Sequence, residues 1–180
     1  MIQTIYPTPD KPRIAGTIRL VLPVILLLLG ACDSENGKPP PEPAVLDETA
    51  TGYFCMMNIA EHPGPKGQAF IAGQSGPVWF PSVRDLLTFR ILPGESGDII
   101  ALYVSDTAAA PSFETIDPTR WIAADKALYV VDSDLTGGMN ASEAVPFAER
   151  DDAEAFRARH GGRILHMEEI GQDWIFGETG

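Results

Sequence analysis

Three sulfur side chains stand in a row at Cys55-Met56-Met57, out of seven in the whole chain. Thiolate and thioether are soft donors, and they select Cu(I) over hard cations. If Tyr53–Ile59 is extended, Cys55 and Met57 point to one face and Met56 to the other. Two sulfurs on one face suit an ion that takes few ligands. His62 follows in a His-Pro-Gly turn that would bring an imidazole to the same place. A second soft donor lies far along the chain, at Gly137-Gly138-Met139. A methionine behind two glycines in a polar loop is badly placed for core packing and well placed as a mobile ligand. The competing reading is that adjacent methionines fill a core and that a lone cysteine is an inert small hydrophobe. The metal reading draws its weight from the combination of one thiol, a same-face methionine and a loop methionine.

These residues sit behind an export signal. Residues 1–19 carry Lys11, Arg13 and Arg19 against Asp10, and an apolar run from Leu20 to Leu29 follows, broken at Pro23. That run is short of the ~20 apolar residues a membrane span takes. A basic start, a short apolar stretch and small residues describe a secretory leader. Its end, Leu29-Gly30-Ala31-Cys32, resembles a bacterial lipobox, in which the cysteine becomes the lipidated first residue. The expectation is a lipoprotein signal over residues 1–31 and an anchor at Cys32. Asp33 points to the inner membrane, with the protein on its periplasmic side. Residues 32–50 then hold the lipidated cysteine and a Pro-rich linker that spaces the domain from the membrane.

The chain has 13 basic and 25 acidic residues, a net charge of −12. Without residues 1–31 the balance is 10 to 24, about −14. Such acidity excludes nucleic acid as a partner, because phosphate binding needs a concentrated basic face. If Cys32 carries lipid, Cys55 remains as one free thiol. An unpaired thiol in an oxidising compartment points to reactivity or metal binding.

The elements that must position these residues show a weak repeat. Strands are expected at Gln68–Ala72 and Pro77–Phe80, a helix at Ser82–Arg90 with Ser82 as its cap, and a strand at Asp98–Ser105. The second half offers strands at Ala127–Asp132 and Ala144–Ala148, a helix at Glu149–His160 ended by two glycines, and a last strand at Arg163–Ile170. A shift of 67 residues superposes Phe80 on Phe147, Asp85 on Asp152, Phe89 on Phe156 and Arg90 on Arg157. The expected fold is α+β, two similar ββαβ halves over residues 51–112 and 113–180, packed together because neither buries a good core alone. His160 reads as a helix C-terminus, Met167 as packing and His166 as a surface or edge residue.

The stretch Cys55-Met56-Met57-Asn58-Ile59-Ala60-Glu61-His62-Pro63-Gly64-Pro65-Lys66-Gly67-Gln68 resembles the signature of the NosL family, a Cys-x-Met followed by His-Pro-Gly and Lys-x-Gln. Gly138-Met139 shortly before Val145-Pro146-Phe147 is similar to the family's second signature, and Trp121-Ile122-Ala123 is also similar. The position between Cys55 and Met57 is commonly glycine in that family and is Met56 here. The resemblance implies two ββαβ halves and a lipid-anchored copper chaperone. It implies Cu(I) held by Cys55, Met57 and Met139, with His62 as a further candidate. It also implies delivery to apo nitrous-oxide reductase during maturation of its copper centre in denitrification, in concert with an ABC-type membrane complex.

Two other classes compete. A thiol enzyme using Cys55 lacks a Cys-x-x-Cys partner, and Gly73-Gln74-Ser75-Gly76-Pro77 is not a nucleophile elbow. A lipoprotein interaction module would treat the sulfurs as packing and bind no metal. No phosphate loop, zinc-protease motif or Ca²⁺ loop is present.

Overall fold

The computed structural model describes residues 39–94, 98–138 and 140–177. The expected leader and the lipidation site at Cys32 lie outside them, and so does Met139. Among the described residues, no helix is long and apolar enough to cross a membrane.

The fold is α+β, with two antiparallel sheets. The first contains β1 (Gly67–Ile71), β2 (Val78–Phe80), β3 (Ile99–Ser105) and β4 (Trp121–Ala123), in the order β2-β1-β3-β4. The second contains β5 (Leu128–Val131), β6 (Val145–Phe147) and β7 (Arg163–His166), in the order β6-β5-β7. Helix α1 (Val83–Ile91) connects β2 to β3, and α2 (Arg150–His160) connects β6 to β7. Ser82 begins α1 by accepting a hydrogen bond from Asp85 N at 3.0 Å, which satisfies one orphan amide of the first turn. Val83, Leu86, Leu87 and Phe89 are buried along α1. The helix lies so close to the sheet that a Cβ on Gly67 would stand 2.7 Å from Leu86 Cβ. Only glycine lets β1 pass beneath it. Gly161, at φ +71°, ends α2.

The internal repeat has a physical counterpart. Phe80 packs on Phe89 with ring centroids 5.1 Å apart, and Phe147 packs on Phe156 at 5.2 Å, with interplanar angles of 48° and 50°. The same strand-to-helix ring contact is thus built twice, 67 residues apart. One apolar cluster then joins the halves: Phe80, Leu87, Phe89 and Val104 meet Tyr129, Val131, Met167 and Ile175.

Three local expectations need correction. The last strand stops at His166, where Glu169 Oε2 accepts from His166 N at 2.7 Å and turns the chain. Met167 is therefore buried at the start of a 3-10 turn, and α3 (Gln172–Phe176) follows, sending Ile175 into the core. Strand β4 leaves the second half and completes the first sheet, pairing Ser105↔Trp121, Val104↔Ile122 and Tyr103↔Ala123. The end of the expected linker is docked rather than solvated. Tyr103 Oη donates to Pro41 O at 2.6 Å, and Gln68 exchanges two hydrogen bonds with the backbone of Ala44, at 2.8 and 3.0 Å. A fully buried Gln68 amide needs both partners, and this extended segment supplies them.

Candidate metal centre

Cys55 lies in a tight loop hung on the edge of the first sheet. Gly52 pairs with Trp79 of β2, and Tyr53 N donates to Trp79 O at 2.8 Å. The rings of Tyr53 and Phe54 close on Phe89 and Phe80, with centroids 5.0 Å and 6.0 Å apart. Such contacts contribute about 0.5–1.5 kcal/mol each. The loop is closed by Gly52 N donating to Met57 O and Met56 N donating to Gly52 O, both at 2.9 Å.

This geometry overturns the extended Tyr53–Ile59 on which the same-face argument rests. Residues 53–55 form a turn, and Met56 sits at φ +57°, the left-handed region. An L side chain there costs ~1–2 kcal/mol. The physical sense of glycine at this position is plain, and so is the oddity of Met56. Met56 is 75% exposed and Met57 41% exposed, so neither methionine is core filler. The thiol is half-buried: a methyl on Gly52 would lie 2.6 Å from Cys55 Sγ, with Ile59 and Pro81 bounding the same notch.

His62 stands seven residues on, after a short 3-10 turn capped by Asn58, whose Oδ1 accepts from Ala60 N at 2.9 Å. The buried Lys66 holds the His62-Pro63-Gly64 turn from beneath. Its Nζ donates to His62 O at 2.7 Å and to Gly64 O at 2.5 Å. Burial draws the Lys66 amine down to about 8, and nearby Glu143 opposes that fall.

The second soft-donor segment reaches the same turn. Residues 136–138 and 140–142 form the arms of a small hairpin, joined by the Thr136↔Ser142 bridge, by Gly137 N to Ala141 O at 2.9 Å and by Asn140 N to Gly137 O at 2.8 Å. A Cβ on Gly138 would lie 2.6 Å from Pro63 O and 3.0 Å from His62 Cβ. The glycine that precedes Met139 is therefore seated on the His62 turn. On the other side of the hairpin, a Cβ on Gly137 would lie 2.7 Å from Glu143 Oε2. Glu143 is fully buried, and burial pushes its carboxyl up to about 8, against its backbone donors and Lys66. Its Oε1 accepts from Arg84 N at 3.1 Å and Ala144 N at 3.0 Å.

Cys55, Met57 and His62 thus share one continuous segment, and the loop bearing Met139 meets that segment at His62 and Pro63. Lys66, Gln68 and Glu143 are the residues the functional reading passed over. The signal for the first two was a Lys-x-Gln leading into β1, whose first three residues are buried. For Glu143 it was a carboxylate directly preceding the apolar β6 run. Among the described residues, no three His, Cys, Asp or Glu side chains are placed to hold a metal ion.

Fold and site together define an α+β protein of two ββαβ halves, with an exposed thiol–thioether loop on one sheet edge. The chain belongs to the NosL family, whose model matches residues 43–175. It is 42% identical over 146 residues to the copper-binding lipoprotein NosL of Achromobacter cycloclastes, covering 81% of this chain and 75% of that protein. It is 37% identical over 158 residues to the copper-binding lipoprotein NosL of Stutzerimonas stutzeri, covering 88% and 80%. The crystal structure of the copper chaperone NosL from Shewanella denitrificans superposes with a TM-score of 0.69 at 33% identity, over 74% of this chain and 98% of that one.

Proposed function

We propose that this protein binds Cu(I) as cargo and is a copper chaperone for nitrous-oxide reductase. The Cys55 thiolate supplies the anionic bond, Met57 and Met139 supply exchangeable neutral bonds, and His62 is an added donor. The ion passes to the apo-reductase in concert with an ABC-type membrane complex, from a protein anchored by lipid at Cys32 on the periplasmic side. The observation that carries the reading is the seating of Gly138 on His62 and Pro63, which joins the methionine-bearing loop to the segment holding the thiol. The names of the relatives, copper-binding lipoprotein and copper chaperone, point the same way and name no enzyme activity.

The test is a Cu(I) competition titration of the soluble domain, with Cys55→Ser and Met139→Leu variants, followed by X-ray absorption on the loaded protein. Loss of tight binding in the first variant, weakening in the second and a sulfur-dominated shell are expected. Unchanged affinity in both variants, or a shell dominated by nitrogen, would overturn the site. For delivery, a Cys55→Ser strain should accumulate reductase depleted of copper. For the anchor, Cys32→Ser should leave the membrane fraction.

A further inference from the structure

We propose that the cavity beside His62 is a docking pocket for a lysine or arginine side chain of the copper-receiving protein. The cavity encloses about 390 Å³, within the ~300–1,000 Å³ of clefts that bury small ligands. Its walls come from the stretches that hold Asp47, His62 and Phe113, and backbone contacts fasten them together. Gly64 N donates to Phe113 O at 3.0 Å, Leu46 N donates to Pro118 O at 3.4 Å, and Asn58 Nδ2 donates to Glu48 O at 2.7 Å. Lys66 and Ser105 also line the space, and Lys66 N donates to the Ser105 hydroxyl at 2.9 Å.

The chemistry of the lining selects a cation. Asp47, Glu48, Glu61 and Glu114 line the cavity, and all four are exposed. Hydrogen bonds with Thr49 and Ser112 hold the Asp47 and Glu114 carboxyls below the usual range, so both stay charged. Among the described residues, the one Lys or Arg in the lining is Lys66, which is buried and donates to His62 O and Gly64 O. Arg120, beside Trp121, is paired with Asp106. The mouth of the cavity is therefore negative. A metal ion is not the fit, because among the described residues no three His, Cys, Asp or Glu side chains are placed to hold one. The carboxylates surround a space rather than chelate. An organic cation on an apolar stem fits instead, with its charge among the carboxylates and its stem against Leu46, Phe113, Ile116 and Trp121. Trp121 is fixed by its Nε1 donating to Pro118 O at 3.0 Å, and an indole is the strongest aromatic partner of a cation. Lysine and arginine are the side chains that join such a stem to such a head.

His62 lines the same cavity, and Cys55 and Met57 lie on the segment that leads to it. A protein whose basic side chain fills the cavity is thereby brought alongside the proposed copper loop. The chain's net charge of −12 attracts a basic partner from any side, and the cavity supplies the register. The identity of the partner rests on the copper-delivery reading, whereas the cationic pocket does not.

The first test needs no copper. The metal-free full chain is titrated with N-acetyl-arginine methylamide and followed by NMR at the Trp121 indole N–H and the Gly64 amide. Saturable shifts at both are expected, with none from the citrulline analogue, which keeps the shape and lacks the charge. The Glu48→Gln/Glu114→Gln double variant should weaken the arginine probe at least about threefold, as loss of exposed ion pairs does. Equal shifts from the citrulline probe, or an unchanged affinity in the double variant, would overturn the pocket. The second test is delivery. Glu48→Lys/Glu114→Lys in the full chain should keep Cu(I) affinity within about twofold of wild type and slow copper loading of the reductase about tenfold, because rim charges act on association. Unimpaired loading, or a loss of Cu(I) affinity in step with it, would refute docking at this place. Recruitment to phosphatidylethanolamine vesicles that the double variant abolishes would assign the pocket to a lipid headgroup and overturn the partner. A wild-type chain that takes the arginine probe but binds no Cu(I) would sink the copper reading, and with it this partner, and leave the cationic pocket standing.

Discussion

Replacing Gly138 by alanine tests the contact between the two loops most directly. The added methyl would lie 2.6 Å from Pro63 O, 3.0 Å from His62 Cβ and 3.1 Å from Pro63 Cδ. Carbon–oxygen contacts close to about 3.3 Å, so the hairpin or the turn must give by about 0.7 Å. The turn is the stiffer partner, because Lys66 Nζ holds His62 O and Gly64 O. The arm that carries Gly138 is therefore expected to move. Overpacking of this kind costs about 1–3 kcal/mol of stability. Metal–ligand distances tolerate only about 0.2 Å, so the shift should weaken Cu(I) binding about 10–100-fold. Chelator competition at constant pH measures this, with circular dichroism to show that the variant is folded. Gly171→Ala is the control, since nothing lies within 4 Å of its added methyl and its φ of −75° suits any residue. A folded Gly138→Ala protein whose affinity stays within about twofold of wild type would refute the loop contact as the basis of the site.

Other expectations follow from single residues. Met56→Gly should stabilise the protein by about 0.5–1 kcal/mol in urea unfolding, the relief of a left-handed methionine less the added freedom of the unfolded chain; a loss of stability would contradict the turn at φ +57°. Cu(I) affinity should fall about tenfold per pH unit on acidification, because the ion must displace the Cys55 proton, and a flat profile would exclude the thiol as ligand. The Glu143 carboxyl titrates at about 8 in the fold, against an ordinary 4.5. Its contribution to stability is therefore complete below the ordinary value and is lost as pH rises towards 8. Glutamine does not titrate, so the melting temperature of Glu143→Gln relative to wild type should climb between pH 5 and pH 8. A constant difference across that window would count against burial as the cause.

The parts of the fold legible in the sequence are those set by local pattern. Ser82 and the apolar positions behind it marked α1, and the β-prone run before Ser105 marked β3. The repeat of Phe80 and Phe89 in Phe147 and Phe156 marked the two halves, because the same ring contact was needed twice. What escaped was decided by distant partners. Nothing near Gln68 announces that it will clamp Ala44, 24 residues earlier. An extended Tyr53–Ile59 would put Cys55 and Met57 on one face, yet ring packing of Tyr53 and Phe54 on Phe89 and Phe80 is satisfied by a turn. Nothing near Glu143 announces that it will accept from Arg84 N, 59 residues away. For the site, residue type was legible, but the glycines beside Met139 could be read only as loop formers, not as the contact faces they are.

Strand β4 gives the molecule a mechanical character of its own. It belongs by sequence to the half that follows, yet its ladder with β3 completes the sheet of the half that precedes, and its chain runs straight on into β5. The halves are stitched rather than stacked. Swinging them apart would strip the ladder from β3 and break open the shared apolar cluster, a step close in cost to unfolding. The protein therefore has no clamshell route for capturing or releasing cargo. Any ion held between its loops must enter and leave at the rim, one bond at a time, while the scaffold beneath stays shut. A receiving partner would have to present its own ligands to that rim before the last bond breaks, so that the ion is never free in solution.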